Sequence, residues 1–253
     1  KMFQRANELD IAYLATGHYA QIEYHADTGR YWLKKAADLS KDQSYVLYML
    51  NQEQLARIQF PLGGYTKTQV REIAEKNGFV NARKHDSQDI CFVPDGDYTG
   101  FLERYTGKTY PSGNFVDLQG NVLGQHRGIV RYTIGQRKGL GLALPQPHYV
   151  CAKHMAQNEV VLGLNEDLFT RELDAFDINL IPYEQLNEPI RVKAKVRYRH
   201  TEQWATVTQT DTDRLHIVFD EPQRAITPGQ AVVLYDGDYV IGGGTICANQ
   251  EEP

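Results

Sequence analysis

The sequence predicts an α/β layer at the N-terminus, a small mixed or β-rich module in the middle and an antiparallel β-barrel or sandwich at the C-terminus. Three observations predict it. Short apolar runs alternate with capped helical patterns through residue 92. From about residue 95 glycine and proline become frequent and the apolar runs shorten. From about residue 171 strand-length runs follow one another, separated by turn residues. The boundaries drawn from these changes are 1–94, 95–168 and 169–253.

The first element, "KMFQRANELD", reads as a helix already in progress, with Phe3, Ala6 and Leu9 about one turn apart. No N-cap precedes it, so the expectation is a chain that begins inside a domain. Residues 10–20 read as a short buried strand through Ile11, Tyr13, Leu14 and Ala15, ended by a glycine turn. "YWLKKAADL" reads as a second strand. In "SKDQSYVLYML", Ser40 and Gln43 have the spacing of a capping box at a helix start. "TKTQVREIAEKN" repeats that design with Thr66 and Gln69, an apolar stripe of Val70, Ile73 and Ala74, and Gly78 as the stop.

The segment 117–141 carries six glycines in 25 residues, too many for regular helix. Further on, "IRVKAKVRYRH", "WATVTQT", "RLHIVFD" and "AVVLYDGDYVIGGGTI" are strands. Pro228-Gly229 fits the centre of a type II turn, and Asp236-Gly237 between apolar runs is a hairpin signature. Short strands at this spacing predict a small barrel or sandwich.

Composition narrows the function classes. The chain has 253 residues and a formal charge of −5, so any nucleic-acid contact must come from a local basic patch. No apolar run approaches the ~18 residues of a membrane span, and no secretory leader is visible. Cys91, Cys151 and Cys247 are an odd, scattered set without C-x-x-C spacing. That argues against a disulfide scaffold or zinc knuckle and for a reducing, cytoplasmic setting. The eight histidines show no H-x-x-x-H or H-E-x-x-H spacing, so no metal site is expected.

Several short stretches carry candidate chemistry. Cys91 ends the polar run "RKHDSQDICF". It is a buried structural thiol or a nucleophile. Arg83, Lys84 and His85 would favour its thiolate if they fold back, and Asp89 would oppose it. Gly17 in "TGHYA" is a strand-ending glycine or a place where backbone approaches a ligand. His18 beside it is a structural hydrogen-bonder or a ligand. Lys41, Asp42 and Gln43 fall on the first turn of the expected helix, where unpaired amides attract anions. The alternative is a solvated turn. Arg191, Lys193, Lys195, Arg197 and Arg199 occupy alternate positions, a cationic row on one strand face repeating every ~6.6 Å, with Val192, Ala194, Val196 and Tyr198 on the other face. Such a row faces a polyanion or protects an edge strand. "GQRKG" at 135–139 is a second basic loop.

In their order along the chain, "ATGHYA", "SKDQSY", "DSQDICF", "TIGQRKGLG", "VRYR" and "FDEPQRAITPGQAVVLYDGDYVIGGGTI" resemble the bacterial tRNA-specific 2-thiouridylases. The resemblance implies that the N-terminal part is an α/β remnant of a PP-loop (adenine nucleotide α-hydrolase-like) adenylating domain. A central module and a C-terminal β-barrel follow. It implies an enzyme that uses ATP, with Mg2+, to adenylate the wobble uridine of tRNA at C2 and then transfers sulfur from a cysteine persulfide. By the same resemblance Cys91 matches the persulfide cysteine and Gly17 a glycine that contacts ATP. Lys41, Asp42, Gln43, Arg197 and Tyr198 match tRNA-contacting positions. A cysteine desulfurase or sulfur relay protein would supply the sulfur. A second thiol would release it by forming a disulfide with Cys91. The family's "SGGxDS" nucleotide loop and that second cysteine do not occur here, which implies a fragment unable to adenylate alone.

Two other classes stay open at this stage. One is a non-catalytic RNA-binding module, resting on the basic strand. The other is a cysteine hydrolase pairing Cys91 with His85 or His18, for which no orienting third residue or oxyanion-hole motif is visible.

Overall fold

A computed structural model describes residues 1–82, 93 and 96–248. Cys91, Arg83, Lys84, His85 and Asp89 lie outside the described residues. The chain gathers into two compact units: 1–84 with 171–221 and 227–253, and 85–170 with 222–226.

The N-terminal elements begin with α1 (Met2–Glu8), which buries Ala6. The following segment is not the buried strand expected. Only β1 (Leu14–Ala15) pairs, and Ile11 and Tyr13 are 43% and 60% exposed. The reason is a local tether. Arg57 donates to the carbonyls of Ile11 and Ala12, and the Ile11 amide folds back onto the Ala6 carbonyl. Next come the hairpin β2 (Gln21–His25) and β3 (Arg30–Lys34), the short helix α2 (Ser44–Leu47), α3 (Gln52–Arg57) and β4 (Ile58–Gln59), parallel to β1.

α4 (Lys67–Lys76) has the predicted capping box of Thr66 and Gln69, and Gly78 follows it at a φ of 71°. Its apolar stripe is not buried among the described residues. The Ser40–Gln43 box does not form. The Ser40 hydroxyl donates instead to Asp38 Oδ1 at 2.6 Å, and the Gln43 side-chain oxygen accepts from the Tyr19 amide, so α2 starts only at Ser44.

The second unit contains α5 (Tyr98–Thr106), β5 (Gly113–Val116), β6 (Val122–His126), β7 (Tyr149–His154) and β8 (Glu159–Gly163). The strands form a sheet in the order β6-β5-β8-β7. Phe115, Ile129, Tyr132, Val150, Val160 and Leu162 make its core. The glycine-rich run thus forms strands and turns, as its composition requires.

The remaining strands are β9 (Phe169–Leu180), β10 (Ile190–Lys195), β11 (Gln203–Asp211), β12 (Arg214–Arg224), β13 (Ala231–Asp236) and β14 (Tyr239–Ile246). They run β13-β10-β11-β12-β9-β14, and β13 also pairs with β14, closing a barrel. Val192 and Ala194, Ala205 and Val207, and Leu215 and Ile217 are buried at alternate positions, the period of a strand with one face in a core. Asp236-Gly237 makes the β13–β14 hairpin, and the Gln230 amide donates to the Thr227 carbonyl across the Pro228-Gly229 turn.

The sheet does not stop at the barrel. β14 pairs with β3 through Tyr239–Lys34 and Val240–Leu33, so the N-terminal hairpin extends it. Leu33, Tyr45, Tyr48, Leu55, Ile181, Val233, Tyr235 and Val240 pack as one core beneath this junction. Gly63 sits where the fold closes on Ala20: a Cβ there would lie 1.7 Å from the Ala20 carbonyl oxygen. Around the neighbouring Gly64 a Cβ would meet nothing within 4 Å.

These two positions give a matched test. Gly63→Ala should lower stability by about 3 kcal/mol, because backbone must move. Gly64→Ala should change it by no more than roughly 0.5 kcal/mol. Urea unfolding of both variants checks this, and equal losses would contradict the close approach.

Candidate RNA-facing site

The site is built from the loop that was expected to be a helix start. Asp38 closes the turn: its Oδ1 accepts from the Ser40 amide and hydroxyl, and its Oδ2 from the Lys67 amide. The Lys67 amide, then Ser40, hold the Asp38 carboxyl below its ordinary range. The Lys41 amide donates to the Asp38 carbonyl, the Asp42 amide to Leu39 and the Gln43 amide to Tyr19. The amides of 41–43 are therefore engaged within the protein. The sequence reading that they stand unpaired at a helix N-terminus is corrected. Asn, Asp and Ser side chains favour such turns over helix because they satisfy nearby backbone directly.

Asp42 turns its carboxylate inward. Oδ1 accepts from the Ala36 amide at 2.9 Å and the Ser44 amide at 3.3 Å, and Oδ2 accepts from the Ser44 hydroxyl at 2.7 Å. That buried hydroxyl also lies 3.3 Å from Tyr235 Oη. Gln43 locks onto Tyr19 at two points. Its amide donates to the Tyr19 carbonyl at 2.8 Å, and its side-chain oxygen accepts from the Tyr19 amide at 2.9 Å. The lock fixes the end of "TGHYA". Within it His18 Nδ1 lies 2.9 Å from Thr16 Oγ1, and its ring meets Phe60 edge-on. Gly17 is exposed, and a Cβ on it would meet only Leu62 Cδ1, at 3.7 Å. Packing within the described chain does not demand a glycine there.

The barrel meets this loop through Tyr198. Its hydroxyl donates to the Asp42 carbonyl at 3.0 Å, and its ring lies edge-on to Tyr45. Arg197 donates to Thr227 Oγ1 at 2.7 Å. The strand ends at Lys195, so Arg197 and Arg199 leave the cationic row, and Tyr198, expected on the face opposite that row, is 42% exposed. The row itself holds for Arg191, Lys193 and Lys195. It is not an edge, because β10 lies between β11 and β13. Arg191 is also neutralised by Asp220, and both it and Lys193 lie over the Trp204 ring.

Lys195 sits half-buried, with its ammonium 5.7 Å from the Tyr45 ring centre and 5.8 Å from that of Tyr198. Burial pushes its pKa down, against the weaker upward pull of Asp42 and Glu202. Burial pushes the Tyr45 hydroxyl up to about 12. His200 is held low by burial, then by the Arg197 and Lys195 charges.

The structure thus brings Gly17, Lys41, Asp42, Gln43, Arg197 and Tyr198 into one connected region. Ser44, Tyr45 and Tyr235 were missed as its supports; their letters read only as helix and strand core. "GQRKG" belongs to the second unit, where Gln136 Nε2 donates to the Lys138 carbonyl. Cys151 and Cys247 are free and partly buried, and burial raises the Cys151 thiol. Among the described residues no group of three or more His, Cys, Asp or Glu stands together as metal ligands, and no helix is long and apolar enough to cross a membrane.

Comparison with known proteins places the chain. Residues 1–95 match the family described as tRNA methyl transferase HUP domain. Residues 99–164 match its PRC-barrel domain, and residues 170–246 the aminomethyltransferase beta-barrel domain. The chain is 51% identical to the tRNA-specific 2-thiouridylase MnmA of Acetivibrio thermocellus, over 97% of this chain and 68% of that protein. It is 50% identical to MnmA of Clostridioides difficile, over 96% and 68%, and 48% identical to that of Koribacter versatilis, over 98% and 68%. The chain belongs to the tRNA-specific 2-thiouridylase family. In the terms of that family, Gln43, Asp42 and Gly17 come from the HUP-domain match, and Lys195, Arg197 and Tyr198 from the beta-barrel match. The site of this 2-thiouridylase relative therefore joins two segments far apart in sequence.

The Gln43–Tyr19 lock is testable by itself. Gln43→Ala leaves the Tyr19 amide without its acceptor and should cost about 1–2 kcal/mol. Hydrogen exchange should show faster exchange at Tyr19 than in the unchanged protein. Undiminished protection there would contradict the lock.

Proposed function

We propose that this protein acts in the 2-thiolation of the tRNA wobble uridine. The observation that supports it is the convergence of 17–19, 41–43 and 195–198 in a chain half identical to named 2-thiouridylases. In this reading the described region receives tRNA, with Lys41, Arg197 and Tyr198 facing it. Asp42 and Gln43 hold that surface in shape, since their side chains are committed inward and to Tyr19.

The residues present fit a nucleotide at Gly17. The glycine is exposed, needs no positive φ and has open space where a side chain would stand. Backbone can therefore lie directly against a bound group. ATP, with Mg2+, would supply the adenylyl group that turns the uridine 2-oxygen into a leaving group. Cys91 would carry the sulfur as a persulfide, loaded by a cysteine desulfurase or a sulfur relay protein. Sulfur in that form is nucleophilic near neutral pH. Its release to the base requires a second thiol that forms a disulfide with Cys91. Cys151 suits that task poorly, because burial pushes its thiol up, away from the reactive thiolate.

Thiolation assayed on the complete protein with tRNA, ATP and a sulfur source tests the reading. Cys91→Ser should abolish thiolation and leave tRNA affinity unchanged. Arg197→Ala should leave Cys91 chemistry intact and reduce the slope of log K against log salt by about 0.7–0.9. Thiolation by the Cys91→Ser protein would reject the sulfur-carrier role. Salt-dependent tRNA binding without thiolation by the unaltered protein would favour a binding module.

A further inference from the structure

We infer that Lys195 is the seat of one RNA phosphate, its half-buried ammonium set beside the edge-on ring pair of Tyr45 and Tyr198 with no carboxylate in ion-pairing distance among the described residues. The inference rests on the RNA-binding reading above and adds a residue that the family resemblance does not mark.

Both nearby acids are committed elsewhere. The Asp42 carboxylate takes the Ala36 amide and the Ser44 amide and hydroxyl. Glu202 pairs with Lys35 at 2.8 Å, and Lys35 also donates to the Gly237 carbonyl and lies over the Tyr235 ring. The Arg191 guanidinium on the same strand has Asp220. Among the described residues the close partners of the Lys195 ammonium are the two tyrosine rings. Cation–π contact offsets part of the cost of desolvating an ammonium, but not the loss of a counter-ion. The fold leaves a positive charge partly out of water at the place where the loop 41–43 meets the barrel, beside Arg197 and His200. The burial that lowers its proton affinity makes the same charge more receptive to a bound anion, because water screens it less.

The geometry also selects the class of anion. Tyr198 is held by its hydroxyl on the Asp42 carbonyl, yet its ring keeps an exposed side. A phosphate on Lys195 would have an aromatic edge beside it, against which the attached ribose or base can lie. Positioning phosphate contacts flanked by aromatic faces are how single-stranded and looped RNA is held. A free phosphate ion would use the ammonium alone.

The test compares the unaltered protein with Lys195→Met and Lys195→Arg. tRNA affinity is measured across a salt series, together with ATP affinity and thermal midpoint. Lys195→Met should reduce the magnitude of the salt slope by about 0.7–0.9, the share of one phosphate. It should leave ATP affinity unchanged and leave the midpoint equal or higher, since a partly buried lone charge is replaced by an apolar chain. Lys195→Arg should restore most of the slope. An unchanged slope with tRNA binding intact overturns the assignment. So does a loss of ATP affinity, which would place a nucleotide phosphate there, and so does a lowered midpoint with an unchanged slope, which would make Lys195 a structural support. Failure of the unaltered protein to bind tRNA at any salt would instead remove the functional reading beneath it.

Discussion

The inward turn of the Asp42 carboxylate is the constraint on which the site depends. Three donors hold it, from Ala36 and Ser44, and the same Ser44 hydroxyl reaches Tyr235 in the barrel. With the side chain committed inward, the Asp42 carbonyl is presented outward, where Tyr198 donates to it. The next residue, Gln43, is then aligned with both backbone groups of Tyr19. One acidic side chain therefore sets two contacts at once, one to the "TGHYA" turn and one to the end of β10. Hydrogen bonds to a charged acceptor are among the stronger ones available to a protein, which suits a residue that must hold a non-helical loop in a single shape.

This loop could not hold the barrel unaided. β14 and β3 share only a short register, and side chains reinforce it. Glu23 accepts from Tyr239 Oη at 2.6 Å and from Lys34 at 2.9 Å, and the Lys35 amide donates to the Asp238 carbonyl. Asn179 on β9 donates to the carbonyls of Tyr48 and Leu50, satisfying backbone at the end of α2. The Tyr239 hydroxyl, then Lys34, hold the Glu23 carboxyl below its usual range, so its support is complete above the normal carboxylate pKa and fades as pH falls through the lowered one. The cores of the N-terminal segment and of the barrel are continuous through Leu33, Val240 and Tyr235. The loop and β10 are thus parts of one packed body and keep a fixed spacing.

Local chemistry was legible in the sequence wherever the partners were neighbours. Thr66 and Gln69 cap α4 because they bond to each other across three residues, and Asp236-Gly237 turns a hairpin because the next residues pair directly. The same letters failed at Ser40 and Gln43. Asp38 took the serine, and Tyr19, 24 residues away, took the glutamine. The alternation of β10 was readable, but its end and its charge balance were not. Those depend on Asp220, 29 residues further on, and on Asp42, which receives Tyr198 across 156 residues. The role proposed for Cys91 rests on resemblance, and Cys91 lies outside the described residues.

A formal charge of −5 opposes a polyanion on net charge alone, yet net charge is a sum in which position is lost. What an approaching phosphate meets is the local field. In this region the acids are already occupied: Asp38 by Ser40 and the Lys67 amide, Asp42 by Ala36 and Ser44, Glu202 by Lys35, Asp220 by Arg191. Other acids are grouped on a different strand, where Glu172 and Asp174 of β9 face His216. Glu202 and Asp220 lose much of their reach, because a cation balances each within ion-pairing distance, while Asp38 and Asp42 have their oxygens engaged by neutral donors. Lys195 has no ion pair among the described residues and is partly desolvated, with Asp42 and Glu202 acting on it only from a distance. An acidic protein can therefore present a cationic face to RNA without being basic overall, because its fold decides which charges are paired.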